Sequence, residues 1–372
     1  MSRLRELMSE LCPDGVEYKR LGEVLKLHNG KDYRHLSSGN IPVYGTGGIM
    51  TYVDSCVYDK PSVLIPRKGS LNKLYYVDVP FWNVDTIFYS EIFTDIANPK
   101  FIYYVLEHEH LESLNEAGAV PSLTQKTLNK ILIPVPPLEV QAEIVRILGT
   151  FTSYISLQNR ELTLRRQQYE YYRDKLLTFG DDVRRTPLGE IGKVCMCKRI
   201  LKRETQPNGE IPFYKIGTFG GVPDAYISRE LFERYRKTYP YPRKGEVLIS
   251  AAGTIGKTVI FDGNDAYFQD SNIVWIANNE AQVLNKFLYY IYQLNNWTVT
   301  KGGTIKRLYN NNLTSTIIPL PPIDKQIHIA SILDRFDSLC NNLSHGLPAE
   351  IQARLSQYQY YRDKLLSFRE KS

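Results

Sequence analysis

The chain has 372 residues, of which 43% are hydrophobic and 23% charged, and this balance excludes a disordered or fibrous protein. It is long enough for two or three domains with hydrophobic cores of their own. The net charge of +6 is compatible with a nucleic-acid partner, but many proteins without one are equally basic. The 27 tyrosines, against 14 phenylalanines, favour large contact surfaces that combine apolar and polar character.

The N-terminus, MSRLRELMSEL, lacks the apolar segment of a signal peptide, and no apolar run reaches the roughly eighteen residues of a membrane span. We therefore expect a cytoplasmic protein without membrane contact. The cysteines contain no Cys-x-x-Cys pair, and Cys195 and Cys197 have no second ligand pair at zinc-site spacing. We expect five reduced cysteines in packing roles, Cys12, Cys56, Cys195, Cys197 and Cys340.

The chain begins with a segment that returns in its second half. Residues 3–11 predict a short helix that ends at Cys12-Pro13. The following DGVEYKRLGEV, residues 14–24, matches DDVRRTPLGEI, residues 181–191. The second of these segments follows a long predicted helix, so the N-terminal helix occupies the place of that helix's tail. We therefore expect the N-terminal helix to contact the C-terminal helix.

The segments that follow repeat as well, although more loosely. Short runs rich in Val, Ile and Tyr, broken by Gly, Asn and Asp, are typical of strands and turns. Each globule is therefore predicted to be mostly β with a helix or two. About fourteen extra residues lie between Tyr214 and Val247 in the second globule. The matched segments are GNIPVY (39–44) with GEIPFY (209–214), SVLIPRKGSLNK (62–73) with EVLISAAGTIGK (246–257), and KFIYY (100–104) with KFLYY (286–290).

Two long helices are the strongest feature of the pattern. Each follows a pair of prolines, which suit the first turn of a helix, and each ends in the identical string YYRDKLL. Apolar residues recur every seven positions, as in helices that pack against a partner helix. We expect the two helices to be each other's partner. The first seam contains Ile144, Leu148, Phe151, Ile155, Leu162, Tyr169, Tyr172 and Leu176, and the second contains Ile329, Leu333, Phe336, Cys340, Leu343, Ile351, Leu355, Tyr358, Tyr361 and Leu365.

The second helix differs from the first in one place. The stretch from Phe336 to Tyr358 is four residues longer than the stretch from Phe151 to Tyr169, and it contains Gly346 and Pro348. Four extra residues shift a heptad seam, and Gly with Pro ends one helix and begins another. We expect a kink or short loop near residues 344–348, whereas the first helix runs on to Phe179.

This layout resembles the specificity (S) subunit of type I restriction-modification systems over essentially the full length of the chain. The resemblance is carried by LCPDGVEYKRLGEV, by the helix starts PPLEVQAEIVRIL and PPIDKQIHIASIL, by GLPAEIQARLSQYQYYRDKLL and by the repeat itself. It implies two target recognition domains, each reading half of a split site in double-stranded DNA. It also implies that the paired helices act as a spacer and as the dock for two methyltransferase subunits, with restriction subunits held through the complex.

The expected fold class is α+β, with two β-rich target recognition domains in a pseudo-two-fold tandem repeat, separated by two long antiparallel coiled-coil helices. The corresponding domains are residues 1–137, with the N-terminal helix and the first recognition domain, and residues 138–180, the first spacer helix. Residues 181–322 form the second recognition domain, and residues 323–372 the second spacer helix.

Motifs for catalysis are missing or incomplete. AAGTIGKT, residues 251–258, is a P-loop without its first glycine, and the strand pattern TVIFDG follows where a P-loop requires a helix. The chain contains neither the Asn/Asp-Pro-Pro-Tyr/Phe string nor the glycine-rich cofactor loop of a methyltransferase. The six histidines, His108 and His110 among them, have no carboxylate or cysteine partners at ligand spacing. We expect no catalytic residue, metal or cofactor.

Basic and polar residues between the predicted strands form a candidate DNA-contact set. Arg and Lys neutralise phosphates or bond guanine, and Gln, Asn and Thr read base edges. Solvated surface roles are an equally good explanation for any one of them. The first globule offers Lys31, Arg34, Tyr44, Thr46, Arg67, Lys68, Ser70, Asn72, Lys73, Gln125 and Lys126, and the second offers Tyr214, Lys215, Thr218, Arg243, Lys244, Thr254, Lys257, Lys301, Thr304, Lys306 and Arg307.

Two other functions remain open at this stage. One is an enzyme, a nuclease or methylase acting alone, against which the missing motifs argue. The other is a standalone DNA-binding regulator that uses the same domains without methyltransferase partners. Outward-facing helix residues such as Tyr171 and Tyr360 distinguish the regulator from the subunit, because in a regulator they would have nothing to pack against.

Overall fold

The computed structural model describes residues 2–114, 122–294, 297, 307–342 and 344–371. The chain divides into two compact units, the first formed by Met1–Arg160 and Glu350–Ser372 and the second by Glu161–Ala349. Within the described residues, no helix is long and apolar enough to cross a membrane.

The first unit contains many short strands with a few helices between them. Its strands are β1 (Tyr18–Arg20), β2 (Leu25–Asn29), β3 (Ser38–Gly45), β4 (Gly48–Val53), β5 (Ser62–Pro66), β6 (Tyr75–Val77), β7 (Trp82–Asn83), β8 (Ile87–Ile92) and β9 (Leu132–Pro134). Its helices are α1 (Ser2–Leu11), α2 (Leu21–Val24), α3 (Pro99–His108), α4 (Gln125–Leu128) and the beginning of α5 (Leu138–Leu176).

Strand β5 is an inner strand of the first unit, and all of its residues are buried. It lies in a four-stranded sheet of order β2-β8-β5-β6, and a second sheet has the order β4-β3-β7. Successive side chains of a strand point to opposite faces. Val63 and Ile65 therefore join the core cluster that holds Phe101 of α3, whereas Leu64 packs in another cluster with Phe81.

The N-terminal helix packs against the end of the C-terminal helix, as expected from the sequence. Leu4 and Leu365 belong to one hydrophobic cluster of the first unit. The amide of Val16 donates to the Arg369 carbonyl at 2.8 Å. Gly15 turns the chain with φ +110°, and a Cβ there would lie 2.7 Å from the same Arg369 carbonyl oxygen, so only glycine fits.

The second unit repeats this order strand for strand. Its strands are β10 (Arg185–Pro187), β11 (Lys193–Cys195), β12 (Ile211–Tyr214), β13 (Tyr226–Ile227), β14 (Val247–Ser250), β15 (Thr258–Ile260), β16 (Tyr267–Phe268), β17 (Ile273–Ala277) and β18 (Ile317–Pro319). Its helices are the end of α5, α6 (Leu188–Ile191), α7 (Arg229–Thr238), α8 (Asn285–Gln293), α9 (Asn310–Ser315), α10 (Ile323–Asn341) and the start of α11 (Leu347–Leu366).

The sheets of the second unit have the same topology as those of the first. The order β11-β17-β14-β15 matches β2-β8-β5-β6, and β13-β12-β16 matches β4-β3-β7. In both units the last pair of the three-stranded sheet is parallel. Helix α7 lies in the extra segment that the sequence places between Tyr214 and Val247, and no described helix of the first unit corresponds to it.

The long helices pair through aromatic residues inside each unit. In the first unit Phe151 of α5 stacks on Tyr361 of α11, with ring centroids 5.3 Å apart. In the second unit Phe336 of α10 stacks on Tyr172 of α5 at 5.8 Å. Tyr361 and Tyr172 occupy the same position of the YYRDKLL string, so the two contacts are equivalent.

Most of the predicted seam is buried or half-buried. Leu148, Leu162 and Tyr169 are buried on α5, whereas Tyr172 is 38% exposed. Leu343 lies outside the described residues. The expected fold class is confirmed as α+β, with two β-rich domains in tandem repeat and long antiparallel coiled-coil helices. The buried members of the second seam are Ile329, Leu333, Cys340, Ile351, Tyr358 and Leu365.

The first long helix is continuous, whereas the second is broken into two. Helix α5 is continuous from Leu138 but stops at Leu176, before the expected Phe179. The second copy is broken, because α10 ends at Asn341 and α11 begins at Leu347. At Gly346 a Cβ would lie 2.5 Å from the Ser338 carbonyl oxygen, so the turn requires glycine.

The cysteines are unpaired, as expected, but not all of them are packing residues. Cys12, Cys197 and Cys340 are buried and Cys195 is half-buried. Cys56 is exposed, so the packing role expected for it is wrong.

Candidate nucleic-acid interface

In the first unit several candidate residues meet where strands end. Strand β3 ends just before Thr46, and β5 ends just before Arg67. The Thr46 hydroxyl donates to the Thr86 carbonyl at 3.1 Å, and the Arg67 amide donates to the same carbonyl at 2.9 Å. One carbonyl at the start of β8 therefore holds two candidate segments together.

Two further segments reach the same edge. Lys31 follows β2, and its amide donates to the carbonyl of Asn83, the last residue of β7, at 2.9 Å. The Gln125 side chain donates to Asn29 Oδ1, at the end of β2, at 3.3 Å. Because all these segments lie at one edge of the sheets, their side chains form a single surface, which we name the first strand-end edge. It contains Lys31, Thr46, Arg67, Lys68 and Gln125.

The loop between β5 and β6 extends this edge into solvent. Gly69 has φ +85°, a conformation that glycine adopts without strain. Ser70, Asn72 and Lys73 are exposed in the same loop. Within the described residues, no carboxylate oxygen lies within ion-pair distance of Lys31, Arg67, Lys68, Lys73 or Lys126. These cations are therefore available to phosphate.

All the candidates were expected between strands, but some of them lie in a strand or a helix. Tyr44 lies in β3, Tyr214 in β12, and Gln125 and Lys126 in α4. The Tyr44 ring is half-buried against Tyr75 at 5.8 Å, and burial raises the pKa of its hydroxyl. Tyr44 therefore packs within its domain, and its contact with DNA stays a prediction. Arg34 is exposed, and its Nε lies 3.6 Å from Asp32.

The second unit has an equivalent edge on the same backbone frame. In the first unit the Leu123 amide donates to the Arg67 carbonyl at 2.9 Å, and in the second the Leu308 amide donates to the Ala251 carbonyl at 2.8 Å. The sequence repeat pairs Arg67 with Ala251. We name this surface the second strand-end edge, which contains Tyr214, Lys215, Thr218, Thr254, Lys257 and Arg307.

Side chains on the second strand-end edge are more tightly held than those on the first. Lys215 forms an ion pair of 2.8 Å with Asp224, and the Thr218 hydroxyl accepts from the Lys215 amide at 3.1 Å. The Arg307 guanidinium donates to the Ser271 carbonyl at 2.7 Å. The Lys257 ammonium donates to the Phe219 carbonyl at 2.5 Å. Lys257 is therefore anchored within its domain, unlike its repeat partner Lys73.

Arg243 and Lys244 do not belong to this edge. They precede β14, whereas Thr254 and Lys257 follow it, so the two pairs lie at opposite ends of that strand. The Arg243 amide donates to Glu246 at 2.7 Å. Arg243 and Lys244 therefore lie apart from the second strand-end edge, and their contact with DNA stays a prediction. Three further candidates, Lys301, Thr304 and Lys306, lie outside the described residues.

Helix α7 adds a basic surface whose residues are not in the candidate set. Asp265 forms ion pairs with Arg229 at 3.1 Å and with Arg236 at 3.3 Å. Arg234 and Lys237 are exposed and have no ion-pair partner among the described residues. The signal was present, because Ser228 caps the helix and Leu231 and Phe232 supply its buried face.

Some histidines pair with single carboxylates that do not lie at metal-ligand spacing in the sequence. His28 lies 2.9 Å from Glu91, and His108 lies 3.1 Å from Asp363. Each is a single pair between segments distant in sequence, which residue spacing does not reveal. Within the described residues, no group of three or more His, Cys, Asp or Glu side chains has the arrangement of a metal site.

Helices α5 and α11 each carry an exposed tyrosine at the same position of the repeat. Tyr171 and Tyr360 open the two YYRDKLL strings and are each 61% exposed. The Lys175 ammonium lies 5.8 Å from the Tyr171 ring centroid, and the Lys364 ammonium lies 5.7 Å from that of Tyr360. An aromatic face with a cation beside it is typical of the centre of a protein contact.

Comparison with known proteins places the chain in a family. The model described as type I restriction modification DNA specificity domain matches it twice, at residues 13–164 and 181–353. A Haemophilus influenzae protein whose name assigns it to the type I restriction enzyme specificity subunits is 45% identical over 369 residues, covering 95% of this chain and 96% of its own. The Escherichia coli EcoR124I/EcoR124II specificity subunit is 32% identical over 405 residues, covering 99% and 98%.

Solved structures agree at the level of the fold. The type I restriction-modification S subunit from M. genitalium superposes with a TM-score of 0.59 at 15% identity, covering 94% of this chain and 95% of its own. A chain of a second solved structure, described as showing complex assembly of the type I R-M system, superposes on this chain with a TM-score of 0.58 at 16% identity. With two family matches over most of its length and relatives aligned end to end, the chain belongs to the type I restriction modification DNA specificity family.

Proposed function

We propose that this chain is the DNA-recognition subunit of a type I restriction-modification complex, in which two domains each read half of a bipartite site in double-stranded DNA. Membership of the family supports this role. The observation that carries it is the comparison of the two strand-end edges, which share a backbone frame but differ in their cations.

The two strand-end edges differ in where their cationic side chains lie. The first edge carries Arg67 and Lys68 after its central strand, where the second carries Ala251 and Ala252. The backbone of Lys68 forms an antiparallel β-bridge with that of Ser122. The backbone of its counterpart Ala252 forms the same β-bridge with that of Arg307. The cation has thus moved from one side of an equivalent backbone pair to the other. A constant frame with relocated donors is what two domains need in order to read different half-sites.

The proposal extends to partners through the helices. Tyr171 and Tyr360 are equivalent, equally exposed and each flanked by a lysine. Two equivalent surfaces favour two methyltransferase subunits per chain, with restriction subunits joined through them. Because the chain has no methyltransferase motif, it contributes no catalytic step and requires no cofactor of its own. The proposal includes a cytoplasmic location for this subunit.

We propose the domain limits that the repeat suggests. Residues 1–137 comprise the N-terminal helix and the first recognition domain, and residues 181–322 the second. Residues 138–180 and 323–372 are the spacer segments, and the break between α10 and α11 interrupts the second.

Reconstitution with the methyltransferase subunit, followed by mapping of methylated adenines in DNA, tests the function. We expect methylation at a split sequence only when both proteins are present. Methylation or cleavage by the pure chain would contradict a non-catalytic role. Sequence-specific DNA binding without any assembly with the methyltransferase subunit would favour the standalone regulator.

A further inference from the structure

The two units can be compared atom by atom where a helix of each recognition domain rests on a spacer helix. In the first unit Gln141 Nε2 donates to the Pro136 carbonyl at 2.7 Å, and its Oε1 accepts from the Asn98 amide at 2.7 Å. In the second unit Gln326 Nε2 donates to the Pro321 carbonyl at 2.8 Å, and its Oε1 accepts from the Leu284 amide at 2.9 Å.

This identical hydrogen bonding fixes the register between the units. Helix α3 rests on α5 as α8 rests on α10, so Lys100 corresponds to Lys286 and Tyr104 to Tyr290. On the spacer helices, Gly149 corresponds to Asp334.

In the second unit a carboxylate completes this contact. The Lys286 ammonium forms an ion pair of 3.1 Å with Asp334, and the Tyr290 hydroxyl donates to the same carboxylate. A lysine, a tyrosine hydroxyl and a carboxylate thus satisfy one another within the protein. Asp337, one helical turn later on α10, adds a second negative charge.

The first unit keeps the lysine and the tyrosine but has lost both carboxylates. Gly149 stands in the place of Asp334, and Thr152 in the place of Asp337. The Lys100 ammonium lies 4.1 Å from the Tyr76 ring centroid, and among the described residues no carboxylate oxygen lies within 4.0 Å of it. The Tyr104 hydroxyl has only a long contact of 3.5 Å with the Thr152 hydroxyl.

These groups line a cavity of about 300 Å³. Its walls include Lys100, Tyr103, Tyr104 and Thr152, and it lies wholly within the first unit. Burial lowers the pKa of Lys100, opposed by the more distant charge of Asp78. A half-buried cation without a close counter-ion is costly, and an anion beside it would relieve that cost.

We propose that the first unit binds a small oxyanion, of the carboxylate or phosphate class, between Lys100 and Tyr104, where the second unit supplies its own carboxylate as Asp334. The ammonium group gives the charge, and the hydroxyls of Tyr104 and Thr152 give hydrogen bonds. The site does not depend on the proposed reading of bases by the strand-end edges, because its residues lie outside both of them.

The structure suggests a direct test, because the missing carboxylate can be restored. A Cβ at Gly149 would meet nothing closer than the Tyr104 hydroxyl, at 3.9 Å, so an aspartate fits there. Gly149→Asp should pair with Lys100 as Asp334 pairs with Lys286. Gly149→Ala is the matched control, because it also replaces the flexible glycine with a residue of higher helix propensity but adds no charge.

The experiment measures the thermal unfolding midpoint of the full chain in sodium chloride, acetate and phosphate at one ionic strength. Wild type and Gly149→Ala should gain at least about 2 °C in acetate or phosphate over chloride, as expected for a ligand that binds only the folded state. Gly149→Asp should lose that gain. Equal gains in Gly149→Ala and Gly149→Asp, or no gain in wild type, would overturn the proposal.

Lys100→Met keeps the test decisive should Gly149→Asp fail to fold. It removes the cation and should abolish the gain in acetate and phosphate, and a retained gain would again overturn the site. A measurement of DNA binding by the same variants identifies the source of the anion. Weaker DNA binding by Gly149→Asp than by Gly149→Ala would assign the site to a backbone phosphate, and equal DNA binding with a lost acetate gain would assign it to a free oxyanion.

Discussion

The Tyr358 hydroxyl donates a hydrogen bond of 2.5 Å to the Glu107 carboxylate, which ties the YYRDKLL-bearing helix to α3. Arg362, only 9% exposed, lies 3.6 Å from the same carboxylate. The equivalent bond in the second unit joins the Tyr169 hydroxyl to the neutral Gln293 side chain at 3.2 Å. The same contact is thus charged in one unit and neutral in the other.

Removing these two hydroxyls should therefore have unequal effects. A hydrogen bond to a charged group contributes about 1.5 to 3 kcal/mol, and one between neutral groups about 0.5 to 1.5 kcal/mol. Tyr358→Phe should lower the opening free energy of α3 by about 2 kcal/mol, and Tyr169→Phe that of α8 by about 1 kcal/mol. Amide hydrogen exchange measures both.

Tyr360→Phe is the control for this pair, because the exposed Tyr360 hydroxyl has no hydrogen-bond partner among the described residues. It should leave exchange in α3 unchanged. Equal losses for Tyr358→Phe and Tyr169→Phe would show that the charge on Glu107 does not strengthen the bond.

The pairing of Glu143 with Arg146 predicts a dependence of stability on pH. The Glu143 side chain is 4% exposed, and Arg146 donates two hydrogen bonds to it, at 2.7 and 2.8 Å. Arg146 thereby lowers the pKa of Glu143 below its ordinary 4.5. A carboxyl with a lowered folded-state pKa adds stability above its unfolded pKa, and this stability is lost as pH falls through the folded value.

Arg146→Leu should therefore lower the unfolding midpoint at pH 7, and the gap to wild type should narrow as pH falls from 5 to 3.5. Arg165→Leu is the control, because Arg165 pairs at 3.4 Å with the exposed Glu161 and should show a much smaller gap. A gap for Arg146→Leu that stays constant over this range would mean that packing, rather than the ion pair, is lost.

The sequence predicted the features that depend on local pattern. The double prolines marked the starts of α5 and α10, and the seven-residue period predicted the aromatic contacts of Phe151 and Phe336. Contacts between distant segments left no such signal. The bond from Lys257 to the Phe219 carbonyl depends on how a loop folds back, which a residue pattern does not show. The bounds of β14, which separate Arg243 from Lys257, likewise came only from the structure.

The two candidate lysines should differ in their effect on the salt dependence of DNA binding. Each phosphate that is neutralised contributes about 0.9 to the slope of log affinity against log salt. Lys73 is exposed, so Lys73→Ala should reduce the slope by nearly one. Lys257 is anchored to Phe219, so Lys257→Ala should change the slope less.

Lys60→Ala is the matched control, because Lys60 is exposed at the opposite end of β5 from Lys73. The slope of log affinity against log salt for Lys60→Ala should equal that of wild type. A slope unchanged in Lys73→Ala would remove the β5–β6 loop from the DNA interface.

Exchanging the first recognition domain should change one half-site alone. The strand-end edges belong to separate units, and each is held by hydrogen bonds within its own unit. Replacing residues 18–135 with the same segment of a relative should alter one half of the methylated sequence, as mapped on DNA. A simultaneous change in both halves would contradict independent reading.

The length of the spacer helices should set the gap between the half-sites. Helix α5 has 39 residues, which correspond to about 58 Å at 1.5 Å per residue. Four added residues lengthen a helix by about 6 Å, nearly two base pairs at about 3.4 Å each. They also rotate the helix by only about 40° beyond a full turn, so the seam of Phe151 and the seam of Phe336 each stay close to register.

We therefore expect that four residues inserted after Arg160 and four after Ala349, the boundaries between the units, leave both half-sites unchanged and widen the unread gap by one or two base pairs. Methylation mapping reads the gap directly. Two-residue insertions at the same places are the control, because they rotate the helix by about 200°, turn the seam toward solvent and should abolish activity. An active four-residue variant with an unaltered gap would show that the spacing is set elsewhere, because the helices would then have lengthened without moving the domains along the DNA.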